Sequence, residues 1–183
     1  HENRHILVHE YSDALPLGKI DKKKFSLNTL ISLMLSIARA VSIIHELDII
    51  HKDINPDNLF INPDTLKVKI SGFGLSQIIG EKHQRKNKDS GMKGTLEFIS
   101  PELTGRTNHP VNRKTDFYSL GVTYYELLTG ELPFKKKDRL ELIHCHLART
   151  PSPPHRINSN IPGVLSEIIL KLMEKDPEDR YHN

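Results

Sequence analysis

The sequence contains few of the features that mark secreted or membrane proteins. Cys145 is the single cysteine among 183 residues, so no disulfide can form within the chain. Because structural disulfides belong to oxidising compartments, this favours a reducing one, with the cytosol as the default. The most hydrophobic stretch, 30–50, is interrupted by polar and charged residues, and no secretory signal is recognisable at the start. The sequence therefore predicts a cytoplasmic protein without a membrane span.

The positive charge does not indicate a nucleic-acid interface. The formal net charge is +3, and the basic residues cluster at 82–93 and 135–137. Neither cluster carries interleaved aromatic residues, and both contain or adjoin acids such as Asp89 and Asp138. Mixed charge of this kind is typical of solvated loops. We expect no nucleic-acid partner.

Hydrophobic periodicity predicts one mainly helical domain. A chain of 183 residues that is 37% hydrophobic can bury one core but is too short for two ordinary domains. Apolar residues recur at three- and four-residue intervals from Leu27 to about Glu46, with Ser26 or Asn28 as candidate caps. Further helices are predicted at 115–130, 140–147 and 165–173, a hairpin at 59–62 and 67–70, and no regular structure in the proline-rich segment 150–162.

The segment 51–58, His-Lys-Asp-Ile-Asn-Pro-Asp-Asn, lies between the first helix and the hairpin. It places a carboxylate, Asp53, five residues before an amide, Asn58. Phosphoryl transfer needs a group that orients the attacking hydroxyl and oxygen atoms that hold a metal ion, and these two residues have the required types and spacing. An Asx turn of Asp53 before Pro56 is the structural alternative.

This segment resembles the catalytic loop of eukaryotic-type protein kinases, H-R-D-L-x-x-x-x-N. The resemblance implies that Asp53 acts as base or orienting group, that Asn58 holds a metal ion, and that His51 supports the loop from behind. Asn55 stands where the family has a lysine that reaches the transferred phosphate. An amide can donate a hydrogen bond there but supplies no positive charge.

Residues 94–102, Gly-Thr-Leu-Glu-Phe-Ile-Ser-Pro-Glu, resemble the end of a kinase activation segment, G-T-x-x-Y-x-A-P-E. The resemblance implies a hydrogen bond between Thr95 and Asp53, and a pair between Glu102 and Arg180. Separate surface pairing of the last two charges is the alternative.

The resemblance also divides the chain. It implies a kinase-like large (C-terminal) lobe over 21–183, which stops before the family's last helix, and assigns 1–20 to the end of the small lobe and the hinge. Backbone groups near Glu10 and Ser12 would meet an adenine ring, with Phe60 as the floor of its pocket. The glycine-rich loop and the lysine–glutamate pair of a kinase are not found in these residues and would lie upstream.

Two further positions bear on activity. Asp116 would accept backbone amides of the catalytic loop, and it would also suit a helix cap. Gly72, before Phe73-Gly74, replaces the expected metal-binding aspartate, and Mg²⁺ prefers carboxylate oxygens. If each missing stabilising group is worth about 3 kcal/mol, losing this one and the loop lysine slows transfer by about four orders of magnitude. The resemblance implies ATP and Mg²⁺ as cofactors, with binding weakened at Gly72.

The residues of several motifs narrow the resemblance to one subgroup of kinase-like domains. His-Lys-Asp-Ile-Asn-Pro and the stretch 100–108, Ser-Pro-Glu-Leu-Thr-Gly-Arg-Thr-Asn, are similar to the serine/threonine-kinase-like domain at the N-terminus of hybrid sensor histidine kinases. This implies a regulatory, catalytically impaired module whose partners are other domains of the same polypeptide. A weakly active serine/threonine kinase and a nucleotide-free interaction scaffold are the two alternatives.

Overall fold

The computed structural model describes residues 13–80 and 94–182. The hinge groups near Glu10 and Ser12 and the basic cluster 82–93 lie outside the described residues.

Helix α1 spans Leu27–Glu46, as its periodicity predicts. Ser26 is its N-cap, and the Ser26 hydroxyl accepts a hydrogen bond from the backbone N–H of Thr29 at 3.1 Å. The recurring apolar residues Leu30, Met34, Val41 and Ile44 are buried, which confirms most of the stripe expected from the periodicity. Leu33 and Ile37 are fully buried as well, whereas Ile31 and Ala38, also expected in the stripe, are only partly buried. The helix packs on both the hairpin and the central helix, and this turns a neighbouring set of side chains inward.

Helix α1 covers most of the stretch 30–50, in which polar and charged residues led us to expect no membrane span. The helix has 20 residues, and its most apolar window has a mean hydropathy of 1.8, so it is long and apolar enough to cross a membrane. Core helices of globular proteins pass the same test. In this structure Leu33, Ile37 and Val41 belong to the main hydrophobic cluster.

Helix α2, Arg113–Thr129, runs through the centre of the fold and packs against α1 and two later helices. Asn112 is its N-cap, in a capping box with Thr115, so Asp116 is not the cap. Gly130 ends the helix in the left-handed conformation, with φ of 75°. Gly121 permits the close approach of the last long helix, because a β-carbon there would lie 2.8 Å from Leu172 Cβ.

Three more α-helices complete the set of α-helices among the described residues: α3 at Arg139–Ala148, α4 at Pro154–Ile157 and α5 at Gly163–Leu172. The short α4 contradicts the prediction that 150–162 has no regular structure. It begins with proline, whose fixed φ suits the first helical turn and whose missing N–H costs nothing there.

Within residues 13–80 and 94–182, five short strands form two small sheets: β1 (Leu15–Pro16), β2 (Ile49–Ile50), β3 (Leu59–Ile61), β4 (Val68–Ile70) and β5 (Gln77–Ile78). The first sheet is antiparallel with order β1-β3-β4, and Leu59 lies opposite Ile70, which confirms the hairpin. The second pairs β2 with β5. Because segment 51–58 joins β2 to β3, the two sheets fix both of its ends.

Candidate active site

The loop 51–58 is held by a buried carboxylate on α2. Asp116 is fully buried, and its Oδ2 accepts a hydrogen bond from the backbone N–H of His51 at 2.8 Å. Its Oδ1 accepts one from the backbone N–H of Lys52 at 2.7 Å, and the His45 ring nitrogen Nε2 lies 2.8 Å from Oδ2. Lys52 has a positive φ of 67°. The carboxylate therefore anchors a strained turn at the start of the loop.

The His51 ring joins the loop to the segment that follows the hairpin. The ring is fully buried, and its Nε2 lies 2.8 Å from the Ser71 carbonyl oxygen. Its Nδ1 accepts a hydrogen bond from the backbone N–H of Asp53 at 3.2 Å. These contacts assign the neutral tautomer with the proton on Nε2. The ring also meets the edge of Phe73, with 4.8 Å between centroids.

Both oxygens of the Asp53 carboxylate have partners. Oδ1 accepts a hydrogen bond from the backbone N–H of Thr95 at 3.1 Å, and Oδ2 accepts one from the Asn58 side-chain amide at 2.9 Å. The side chain is partly exposed. The carboxylate thus has a fixed orientation at the junction of the loop and the segment 94–102.

Asn55 connects the loop internally. It is 2% exposed, and its Nδ2 donates to the Asp53 carbonyl oxygen at 3.0 Å and to the Thr95 hydroxyl at 3.2 Å. Its Oδ1 accepts from the backbone N–H groups of Asp57 at 3.0 Å and Asn58 at 3.3 Å. The Asx turn therefore belongs to Asn55 and not to Asp53. Both amide protons of Asn55, expected to serve a phosphate, point into the protein.

Asn58 and Gly72 occupy the expected metal position. The Asn58 amide also donates to the Asp53 carbonyl oxygen at 2.8 Å. Gly72 has φ of 83°, and a β-carbon there would lie 2.6 Å from Asn58 Nδ2 and nearer still to its Oδ1. The described residues contain no group of three His, Cys, Asp or Glu side chains that could hold a metal ion. Since residue 72 offers no side-chain oxygen and Asn58 fills its side-chain space, these residues do not fit a Mg²⁺ site with the expected carboxylate ligand.

Phe60 lies on β3 and faces away from the core. Its neighbours Leu59 and Ile61 are fully buried, whereas Phe60 is partly exposed. Alternation along the strand puts Phe60 on the opposite face. Phe60 is therefore not part of the main hydrophobic cluster.

Glu102 and Arg180 form a buried bidentate pair. Arg180 Nη1 donates to Glu102 Oε1 at 2.7 Å and Nη2 donates to Oε2 at 3.0 Å, with both side chains fully buried. Arg180 also donates to the backbone oxygens of Lys114, Glu174 and Lys175. The alternative of separate surface pairs is wrong, and the pair fastens the chain after α5 to the segment 94–102.

A buried polar cluster beside this pair was missed by sequence reasoning. The Tyr118 hydroxyl lies 3.0 Å from His146 Nδ1 and accepts a hydrogen bond from Lys175 Nζ at 3.2 Å. Burial, with Lys175 nearby, lowers the pKa of His146 to about 3. Burial, with Arg180 nearby, lowers the pKa of Lys175 to about 8. Only His146 stands out in the sequence, as part of the run His-Cys-His at 144–146. Tyr118 and Lys175 are far from it in the chain and reach it only through tertiary packing.

Comparison with known proteins extends over nearly the whole chain. The family model described as "Protein kinase domain" matches residues 1–182. The chain is 56% identical over 89 residues to hybrid signal transduction histidine kinase G of Dictyostelium discoideum, which covers 49% of this chain and 3% of that protein. It is 32% identical over 183 residues to a probable serine/threonine-protein kinase of Clostridium acetobutylicum, covering 99% of this chain and 27% of the relative.

A third relative, serine/threonine-protein kinase PknB of Mycobacterium tuberculosis, is 30% identical over 177 residues, or 96% of this chain and 28% of that protein. The chain therefore spans little more than a quarter of these serine/threonine kinases, and far less of the histidine kinase. A family match over nearly every residue nevertheless decides the classification: the chain belongs to the protein kinase domain family.

Proposed function

We propose that this chain is the large lobe of a kinase-like domain that serves a regulatory role in a cytoplasmic phosphorelay protein and is impaired in phosphoryl transfer. The single observation that carries the proposal is Gly72, whose missing side chain leaves the expected metal position without its carboxylate while Asn58 lies in the space of that side chain. The half-chain identity to a hybrid histidine kinase supports the phosphorelay setting, with other domains of the same polypeptide as partners.

The residues around Asp53 support binding and orientation more than fast chemistry. Each oxygen of the Asp53 carboxylate already accepts one hydrogen bond, from the Thr95 amide or the Asn58 side chain, and keeps a second acceptor site that a substrate hydroxyl can use. Asn55 supplies no charge to a transferring phosphate, and its amide protons are already hydrogen-bonded. With two electrostatic groups of about 3 kcal/mol each missing, transfer should be about 10⁴-fold slower than in an ordinary kinase.

A second candidate is a weakly active serine/threonine kinase that uses ATP. It is favoured by the 2.9 Å contact between Asp53 and Asn58, because the two key groups of the loop converge, and by relatives that are named as serine/threonine kinases. A third candidate is an interaction scaffold that binds no nucleotide. Phe60, on the outward face of β3, could floor an adenine pocket and so favours nucleotide binding over the scaffold.

Two measurements on protein that includes the upstream lobe separate the candidates. Thermal unfolding with ATP, with and without Mg²⁺, tests nucleotide binding: a rise in Tm supports a binding module, and no rise supports the scaffold. Transfer of the labelled γ-phosphate of ATP, compared between the natural chain and Asp53→Asn, tests chemistry. We expect a small signal at most in the natural chain. A fast signal that Asp53→Asn abolishes would overturn the proposal of impairment.

A further inference from the structure

Asn58 and Gly72 behave as one packing unit. We propose that Asn58 is a positioning residue that locks the Asp53 carboxylate without a metal ion, and that the missing side chain at residue 72 makes room for this lock. The inference rests on the proposed function, because it concerns the same site. It adds that the site has replaced a metal contact with an internal hydrogen-bonded one.

Steric contacts carry the first step. A β-carbon at residue 72 would lie 2.5 Å from Asn58 Cγ and 2.6 Å from Asn58 Nδ2, closer than real β-carbons approach other atoms. Any side chain at residue 72 would therefore require Asn58 to rotate. Gly72 also has φ of 83°, a conformation that side chains other than glycine rarely adopt.

Backbone hydrogen bonds carry the second step, because they leave Asn58 little freedom except side-chain rotation. Its N–H donates to the Asn55 carbonyl oxygen at 3.1 Å, and its carbonyl oxygen accepts from the Ser71 N–H at 2.9 Å. The main chain is thus held from both sides. A collision with residue 72 would be relieved by turning the Asn58 side chain.

Rotation of the Asn58 side chain would remove hydrogen bonds that hold Asp53. The Asn58 amide donates to the Asp53 carbonyl oxygen at 2.8 Å and to Oδ2 of its carboxylate at 2.9 Å. Rotation would break both bonds and leave the carboxylate held only by the Thr95 N–H. Adding a side chain at residue 72, including aspartate, would therefore loosen Asp53 at the same time as it introduces a new group.

A double-mutant cycle in thermal unfolding tests the coupling, with Gly72→Ala, Asn58→Ala and the double variant in the protein that carries this chain. Gly105→Ala is the matched control, because Gly105 has φ of 70° and a β-carbon added there would meet no atom within 4 Å, so it reports conformational strain alone. We expect Gly72→Ala to lower Tm by about 8 °C with Asn58 present, and by about 4 °C, the same as the control, in the Asn58→Ala background. Strictly additive effects would overturn the inference.

A spectroscopic readout separates positioning from general stability. The carboxyl carbon resonance of Asp53 should shift in Asn58→Ala and in Gly72→Ala but not in Gly105→Ala. It should be the same with Mg²⁺ and with a chelator in the natural chain. The proposal would be contradicted if the chemical shift of this resonance did not change in Asn58→Ala, or if it changed when Mg²⁺ was added to the natural chain. Fast phosphate transfer alongside a coupled cycle would instead overturn the proposed function and leave the lock standing.

Discussion

Ser100 offers a sharp test of the packing around the segment 94–102, because its substitution by alanine should stabilise the protein. The side chain is fully buried, and among the described residues its hydroxyl has no hydrogen-bond partner. A buried hydroxyl that loses water without gaining a partner costs about 1–3 kcal/mol. Alanine removes that hydroxyl and keeps the β-carbon, so little packing is lost.

The size of the Ser100→Ala effect can be compared with that of a matched variant at Ser119 on α2. We expect Ser100→Ala to raise the free energy of unfolding by about 1 kcal/mol, or Tm by about 2–4 °C. Ser119 is equally buried, but its hydroxyl donates to the Phe98 carbonyl oxygen at 2.8 Å. Ser119→Ala should therefore lower the free energy of unfolding by about 1 kcal/mol. Chemical denaturation measures both, and equal signs for the two variants would refute the reasoning.

Three further predictions concern buried charge and close packing. Glu102→Gln should lower the free energy of unfolding by about 3–5 kcal/mol, since it leaves the Arg180 guanidinium buried without its carboxylate. Because the pKa of His146 is lowered to about 3, the unfolded chain binds a proton that the folded chain refuses, so stability falls as pH drops below about 6.5. Denaturation should show that His146→Gln loses about 2 kcal/mol less than the natural chain between pH 6.5 and 5, and equal losses would contradict this. Gly121→Ala should lower Tm by several degrees through contact with Leu172, and an unchanged melting curve would show that α2 and α5 can separate freely.

The sequence predicts local elements well where one periodicity dominates. The bounds of α1 and the existence of the hairpin follow from apolar spacing and capping residues, and the structure confirms them, with each hairpin strand one residue shorter at the turn. Which residues of α1 are fully buried, such as Leu33 and Ile37, was predicted less accurately, because burial depends on the elements that pack against the helix. The short helix α4 was not predicted, because prolines at 153 and 154 are as typical of an irregular segment as of the first turn of a helix.

The candidate site was predictable in its residue types but not in its hydrogen bonds. The spacing of Asp53 and Asn58 brought them together, yet it did not indicate that the Asn58 amide donates to Asp53 or fills the space beside Gly72. The inward direction of Asn55 and the cluster of Tyr118 with Lys175 depend on contacts between residues far apart in sequence. Such contacts are set by tertiary packing, which local patterns do not record.

The turnover number for γ-phosphate transfer from ATP with Mg²⁺, measured in protein that includes the upstream lobe, tests the central claim most directly. Ordinary kinases turn over at about 1–100 per second, and the loss of two stabilising groups predicts a rate below about 0.01 per second. Because the natural chain is expected to transfer phosphate this slowly, Asp53→Asn should lower the turnover number only slightly further. A rate above about 1 per second that Asp53→Asn abolishes would contradict the account, because the site would then be complete despite Gly72.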